Sequence, residues 1–195
     1  MKQPELLAAL GPVVDAFDAL EVRYYVGGSV ASSAHGAARA SLDVDLVADL
    51  GLEHVHPLVG RLAAEYYVDE GRARAAVESR RSFNLIHLGT MLKVDVFVSK
   101  GRPFDRAALD RARPQALEEG PEARRFSVAS AEDTILAKLE WFRAGGEVSE
   151  RQWSDVVGVL RTAGTTVDQP YLRQWALALG VGDLMERALG EAGIS

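Results

Sequence analysis

Hydrophobic and polar positions alternate along this chain with two different periods. Apolar residues at helical spacing predict an amphipathic helix over residues 5–20 and further helices over 29–38, 52–65 and 104–112. Period-two alternation predicts strands over residues 24–28, 41–48 and 66–68. It also predicts that the segments SFNLIHL and MLKVDVFVS form a hairpin through Gly89 and Thr90. Helices and strands therefore alternate in the first two thirds of the chain.

The pattern becomes entirely helical from Ser130 onward. The stretches SAED and SERQ match capping boxes, and they predict helices over residues 131–144 and 150–163, separated by Gly145 and Gly146. Two more helices are predicted near residues 169–179 and 182–191. We therefore expect an α/β (α+β) protein, with a mixed-sheet core in residues 1–129. A helical bundle in residues 130–195 is expected to pack on the cleft of that core.

Aspartates interrupt two of the apolar strands. Asp43 and Asp45 alternate with Val44, so both point to one face of their strand, and Asp95 lies between two valines of another strand. If the strands are neighbours, three carboxylates gather on one sheet face, where they must be neutralised or bind a metal. Oxygen ligands without a nearby His or Cys favour Mg²⁺ or Mn²⁺, so we predict Asp43, Asp45 and Asp95 as metal ligands.

A glycine turn precedes the first aspartate strand. Gly27 and Gly28 remove Cβ atoms where a strand leads into a helix, and Ser29 adds a hydroxyl. The first turn of a helix offers free N–H groups to an anion. A phosphate pocket beside a metal-binding carboxylate cluster is what the activation of a nucleoside triphosphate requires.

Strand, Gly-Gly-Ser, helix, Asp-x-Asp and a third strand aspartate together resemble the DNA polymerase beta-like nucleotidyltransferase superfamily. The lead-in Arg39-x-Ser41-x-Asp43 resembles the AbiEii-type and MenT-type toxin transferases. The resemblance implies that Asp43, Asp45, Asp95 and Lys138 are catalytic. It implies a nucleotide-binding set of Gly27, Gly28, Ser29, Arg39, Ser41 and Lys138.

The resemblance also implies an aspartate on the helix after Lys138, which is Asp155 here. The related motif often has adjacent Arg and Asp, whereas Arg151 and Asp155 are separated by three residues. Asp155 is therefore also interpreted as an ordinary surface carboxylate of its helix or as an i,i+4 partner of Arg151.

The resemblance implies a Mg²⁺-dependent transfer of a nucleoside monophosphate from an NTP to a hydroxyl. The implied acceptor is tRNA or protein, in a toxin-like role with a cognate antitoxin. Two alternatives stay open: modification of an antibiotic-type small molecule, and a non-catalytic module that binds a nucleotide or a partner protein.

Charge and composition limit the partners. The net charge of −6 argues against indiscriminate nucleic-acid binding, but residues 72–125 contain twelve Lys or Arg against seven Asp or Glu. We expect six arginines of this region to form a phosphate-tracking rim for RNA, with a solvated surface as the alternative: Arg72, Arg74, Arg80, Arg81, Arg124 and Arg125. The chain has no cysteine and no run long enough to span a bilayer, which predicts a cytoplasmic protein with no membrane partner.

Overall fold

The computed structural model describes residues 3–37, 43–120 and 123–194. The helices are α1 (Gln3–Ala19), α2 (Gly28–Ala34), α3 (Leu52–Leu62), α4 (Glu70–Glu78), α5 (Pro103–Arg111), α6 (Ala131–Ala144), α7 (Glu150–Ala163), α8 (Gln169–Ala178) and α9 (Gly182–Ala192), with a 3₁₀ turn at Gly164–Thr166. The strands are β1 (Tyr24–Val26), β2 (Asp43–Ala48), β3 (Tyr66–Tyr67), β4 (Ser82–His87), β5 (Lys93–Val98), β6 (Arg113–Ala116) and β7 (Arg125–Val128). These residues form two compact units.

The first unit contains the described residues of 3–27 and 43–128. Within the described part of the chain, its seven strands form one sheet in the order β3-β4-β5-β2-β1-β7-β6. Strand β2 runs parallel to β5, and β1 runs parallel to β7, whereas the other neighbouring strands are antiparallel. The predicted mixed α/β architecture is therefore confirmed, as is the β4–β5 hairpin.

One face of this sheet carries the apolar core of the first unit. Val44 and Leu46 on β2 are fully buried, and so are Val94 and Val96 on β5. Helix α1 contacts β5 and α3, and the Tyr66 hydroxyl donates a hydrogen bond to the carbonyl oxygen of Ala9 at 2.8 Å. Burial raises the pKa of Tyr66, so this phenol stays a donor. The opposite face of β2 and β5 is less buried, and it carries polar side chains together with Val47 and Phe97.

The second unit contains residues 28–37 and 129–194. Helix α2 packs on α6 and α7, α7 packs on α9, and α8 packs on both α6 and α9. The ring nitrogen Nε2 of His35 lies 2.7 Å from the carbonyl oxygen of Ala129, which ties α2 to the start of the later helices. Helix α2 is therefore part of the helical unit, although it is distant from the other helices in sequence.

Both serines predicted to start the later helices are N-caps in the structure. The Ser130 hydroxyl oxygen accepts a hydrogen bond from the Asp133 N–H at 3.1 Å, and that of Ser149 accepts one from the Gln152 N–H at 3.3 Å. Because these caps are local, helices α6 and α7 begin and end where the sequence predicts.

Several elements differ from the sequence-based expectation, among them β7, which was not predicted, and α3, which ends at Leu62 rather than at residue 65. Strand β6 was not predicted, because its sequence RPQA contains a proline and lacks apolar alternation, but it lies at the sheet edge, where proline is tolerated. Helix α2 ends at Ala34 rather than extending to residue 38.

No helix in the described ranges has the length and apolar character that crossing a membrane would need.

Candidate active site

The three predicted aspartates lie on one face of two neighbouring strands. Strands β2 and β5 are parallel, and their register pairs Asp45 with Asp95. Side chains two residues apart on a strand share a face, so Asp43 lies on the same face as Asp45 and Asp95. Asp43 is exposed, whereas Asp45 and Asp95 are half-buried. The juxtaposition expected from the sequence is present.

A lysine that sequence reasoning overlooked lies among these carboxylates. The Lys93 ammonium is 2.8 Å from Oδ2 of Asp95 and 3.9 Å from Oδ1 of Asp43. The hydrogen bond to Asp95 is the main cause that raises the pKa of Lys93, and the charges of Asp95, Asp43 and Asp45 add to it against a lowering by burial. The sequence does contain a signal for this contact, because Lys93 precedes Asp95 by two residues on the same strand and therefore lies on the same face.

The donor atoms are of the type that Mg²⁺ prefers, because they are carboxylate oxygens. They already attract a positive charge, the ammonium of Lys93. In the described residues, no group of three or more His, Asp or Glu side chains is arranged so that it could hold a metal ion. Metal binding by Asp43, Asp45 and Asp95 therefore stays a prediction.

The glycine turn begins beside this cluster. The Gly27 N–H donates a hydrogen bond to the carbonyl oxygen of Asp45 at 2.9 Å, which continues the pairing of β1 with β2 by one residue. Gly28 has a φ of +56°, a left-handed conformation that favours glycine. Helix α2 starts at Gly28, and Ser29 is buried in its first turn. Phosphate binding by Gly27, Gly28 and Ser29 stays a prediction, and the predicted Arg39 and Ser41 lie outside the described residues.

Lys138 is buried in the helical unit and pairs with Asp155. Its ammonium lies 2.8 Å from Oδ2 of Asp155, and the two side chains are 10% and 6% exposed. The interpretation of Asp155 as a surface carboxylate is therefore wrong, and its ion-pair partner here is Lys138 on α6, not the helix neighbour Arg151. The catalytic and nucleotide-binding roles of Lys138 stay predictions.

The six arginines do not share one location. Arg74 pairs with Glu70 at 3.8 Å, and Arg80 donates to the carbonyl oxygen of Ser99 at 3.0 Å. Arg124 precedes β7, and its guanidinium lies 2.6 Å from Asp15. Strand β7 is four positions from β4 in the sheet, which corresponds to about 19 Å at the usual strand spacing. Arg124 therefore lies far from the arginines near β4, and a rim for RNA formed by all six arginines stays a prediction.

Two other arginines of that set, Arg72 and Arg81, line a cavity together with Asp95. The cavity has a volume of about 400 Å³ and lies in the first unit, where it is bordered by β3, α4, β4 and β5. Its polar lining includes Asn84, which pairs with Asp95 across β4 and β5 and is exposed on the same face. Sequence reasoning did not identify Asn84, because nothing in a strand sequence shows which residue lies opposite it.

Comparison with known proteins identifies the fold. No protein-family model matches the chain, and no curated protein matches it. Solved structures do match. ANT(2'')-Ia in complex with adenylyl-2''-tobramycin is 15% identical, with a TM-score of 0.57, over 90% of this chain and 97% of that chain. An antigenic nucleotidyltransferase-like protein from Paracoccidioides brasiliensis is 17% identical, with a TM-score of 0.54, over 95% of this chain and 92% of that chain.

A solution structure of the antibiotic-resistance factor ANT(2'')-Ia is also similar. It is 16% identical, with a TM-score of 0.50, over 92% of this chain and 93% of that chain. These likenesses extend over almost the whole of each protein. The chain therefore has the fold of nucleotidyltransferases.

Proposed function

We propose that this protein transfers a nucleoside monophosphate from a nucleoside triphosphate to a hydroxyl group, with release of pyrophosphate. The observation that carries the proposal is the placement of Asp43, Asp45 and Asp95 on one face of two parallel strands, with Asp45 and Asp95 in register. The nucleotidyltransferase fold supports the same reaction. A fold alone does not define an activity, so the carboxylate arrangement is the decisive part.

In the proposed reaction, the acceptor hydroxyl oxygen forms a bond to the α-phosphorus, and the bond from that phosphorus to the pyrophosphate breaks. Asp95 takes the proton of the hydroxyl at a carboxylate oxygen, and Lys93, 2.8 Å from Oδ2, positions that carboxylate.

Asp43, Asp45 and Asp95 would hold Mg²⁺ or Mn²⁺. When bound, the ion supplies positive charge against the triphosphate. Gly27, Gly28 and Ser29 bind phosphate oxygens in this proposal, as do Arg39 and Ser41.

Two acceptor classes follow from different observations. The sequence resemblance to toxin transferases favours tRNA or protein, with an antitoxin as a regulatory partner. The similarity to ANT(2'')-Ia, an antibiotic-resistance factor, favours a small molecule. The reaction at phosphorus is the same for both classes, so one assay tests them together.

The test is to incubate the protein with cell extract, Mg²⁺ and each α-labelled NTP, and to follow the label into RNA, protein and small molecules. We expect label transfer with at least one NTP, and we expect Asp45→Asn and Asp95→Asn to lower its rate by about a hundredfold or more. Asp18→Asn is the matched control, because Asp18 is an exposed carboxylate of α1, and this variant should retain the full rate.

Absence of transfer with every NTP and extract would contradict the proposal and favour a non-catalytic binding module. Equal rates for the wild type and the Asp45→Asn and Asp95→Asn variants would contradict the assignment of the site. Label in material that resists both nuclease and protease would identify a small-molecule acceptor.

A further inference from the structure

We propose that the cavity beside Asp95 is the acceptor subsite and that it selects an acceptor with a phosphate group near the reacting hydroxyl. This inference rests on the proposed function, and it names the chemical class of the second substrate. It is carried by the position and charge of four cavity residues: Arg72, Arg81, Asn84 and Asp95.

The cavity has the size and position that an acceptor needs. Its volume of about 400 Å³ lies within the usual range of small-ligand sites, about 300–1,000 Å³. Asp95 lines it directly, so a hydroxyl held in the cavity can reach the carboxylate that takes its proton. A sugar phosphate, or the terminal nucleotide of a longer chain, is of matching size.

Asn84 provides the group that can hold the hydroxyl. It lies opposite Asp95 in the antiparallel register of β4 and β5, where facing Cα atoms are about 4.5–5.5 Å apart. Its amide both donates and accepts hydrogen bonds, whereas the neighbouring carboxylate only accepts. Together the two side chains can orient a hydroxyl with its proton directed at Asp95.

The two arginines of the cavity can attract an anion, because each of its two aspartates already has a positively charged partner. Lys93 forms an ion pair with Asp95 at 2.8 Å. Asp69 caps the start of α4, where it accepts a hydrogen bond from the Arg72 N–H at 2.8 Å and lies 3.9 Å from the Arg72 guanidinium. Arg81 adds a further positive charge. In the residues that the structure describes, no carboxylate lies within ion-pair distance of the Arg81 guanidinium.

Arg81 is also well placed to act as a phosphate ligand. Its backbone is fixed at both sides, because its N–H donates to the Ala76 carbonyl oxygen at 2.9 Å and its own carbonyl accepts from the Val98 N–H at 2.9 Å. The side chain itself is exposed. A guanidinium on a fixed backbone binds a phosphate through two parallel hydrogen bonds. A polyamine such as tobramycin would instead be repelled by the positive charge of Arg81.

The experiment measures binding without NTP, so it does not depend on turnover. Calorimetry compares ribose 5-phosphate, ribose, a short single-stranded RNA and tobramycin as probes. We expect the wild type to bind ribose 5-phosphate, the RNA or both more tightly than ribose and tobramycin. We expect Arg81→Gln to weaken that binding by about tenfold or more, the usual effect of one charged hydrogen bond. Arg61→Gln is the charge-matched control, because Arg61 is an exposed residue of α3 outside the cavity, and this variant should bind like the wild type.

Each outcome decides the inference. Binding of ribose 5-phosphate supports a small phosphorylated acceptor, and binding of the RNA alone supports a nucleic-acid acceptor. Tobramycin binding that equals or exceeds phosphate binding overturns the inference, as does an Arg81→Gln variant with unchanged affinity or equal losses in Arg81→Gln and Arg61→Gln. Arg81-dependent phosphate binding without nucleotidyl transfer would contradict the proposed function alone.

Discussion

The buried pair of Lys138 and Asp155 gives the most direct test of the helical unit. Replacement of Asp155 by alanine removes the carboxylate 2.8 Å from an ammonium that is only 10% exposed. Breaking a buried ion pair on one side costs about 3–5 kcal/mol, because the remaining charge has lost its partner in a poorly solvated place. Domains have free energies of unfolding of about 5–15 kcal/mol, so Asp155→Ala should remove a large part of the stability.

Urea denaturation followed by tryptophan fluorescence is the suitable assay. All three tryptophans of the chain, Trp141, Trp153 and Trp175, lie on α6, α7 and α8 of the second unit, so their emission reports its unfolding. A loss of 3–5 kcal/mol corresponds to a fall in Tm of roughly 6–20 °C for a chain of this size.

A surface pair in the same unit provides the matched control. Arg173 and Glu186 are also 2.8 Å apart, but their side chains are 47% and 58% exposed. Glu186→Ala should therefore cost less than about 1 kcal/mol. If Asp155→Ala costs as little as Glu186→Ala, the reasoning from burial is refuted.

A double replacement separates a structural role from a nucleotide-binding role. Lys138→Met combined with Asp155→Leu removes both charges and should recover much of the stability that Asp155→Ala loses. If this stable variant binds NTP like the wild type, Lys138 is structural. If it has regained stability but lost NTP affinity, the sequence-based prediction of a triphosphate contact is supported.

Two further predictions concern the same helical unit. Gly36→Ala should destabilise it by about 1–3 kcal/mol, because Gly36 has a φ of +93° and a Cβ there would lie 2.3 Å from Cγ2 of Thr162. Gly190→Ala in α9 is the control, because a Cβ there meets nothing within 4 Å, and a comparable loss in both variants would contradict the argument. Asp183 lies 2.6 Å from the Arg143 guanidinium, and this hydrogen bond is the main cause that lowers the pKa of Asp183 below 3.8. The pair therefore stabilises the fold above pH 3.8, and that contribution disappears as the pH falls through the lowered pKa. In urea denaturation, Asp183→Asn should be less stable than the wild type at neutral pH, and the difference should vanish in acid, whereas a difference independent of pH would contradict the assignment.

Several features of the protein follow from the sequence because they depend on neighbouring residues. The caps at Ser130 and Ser149 lie three residues from their partners, so the bounds of α6 and α7 could be predicted closely. The alternation around Asp43, Asp45 and Asp95 likewise fixes which face of each strand they occupy. The pairing of the two strands then brings the three carboxylates together, which the sequence could only suggest.

Tertiary structure decided the partners of the charged residues. The pairing of Lys138 with Asp155, the cavity shared by Arg81 and Asp95, and the association of α2 with the later helices all join residues distant in sequence. No local pattern encodes such pairs, because the energy of a charge depends on which opposite charge and how much water the fold places around it. Residue types and their periods therefore indicated the class of chemistry, whereas the packing of helices and the register of strands decided which side chains surround it.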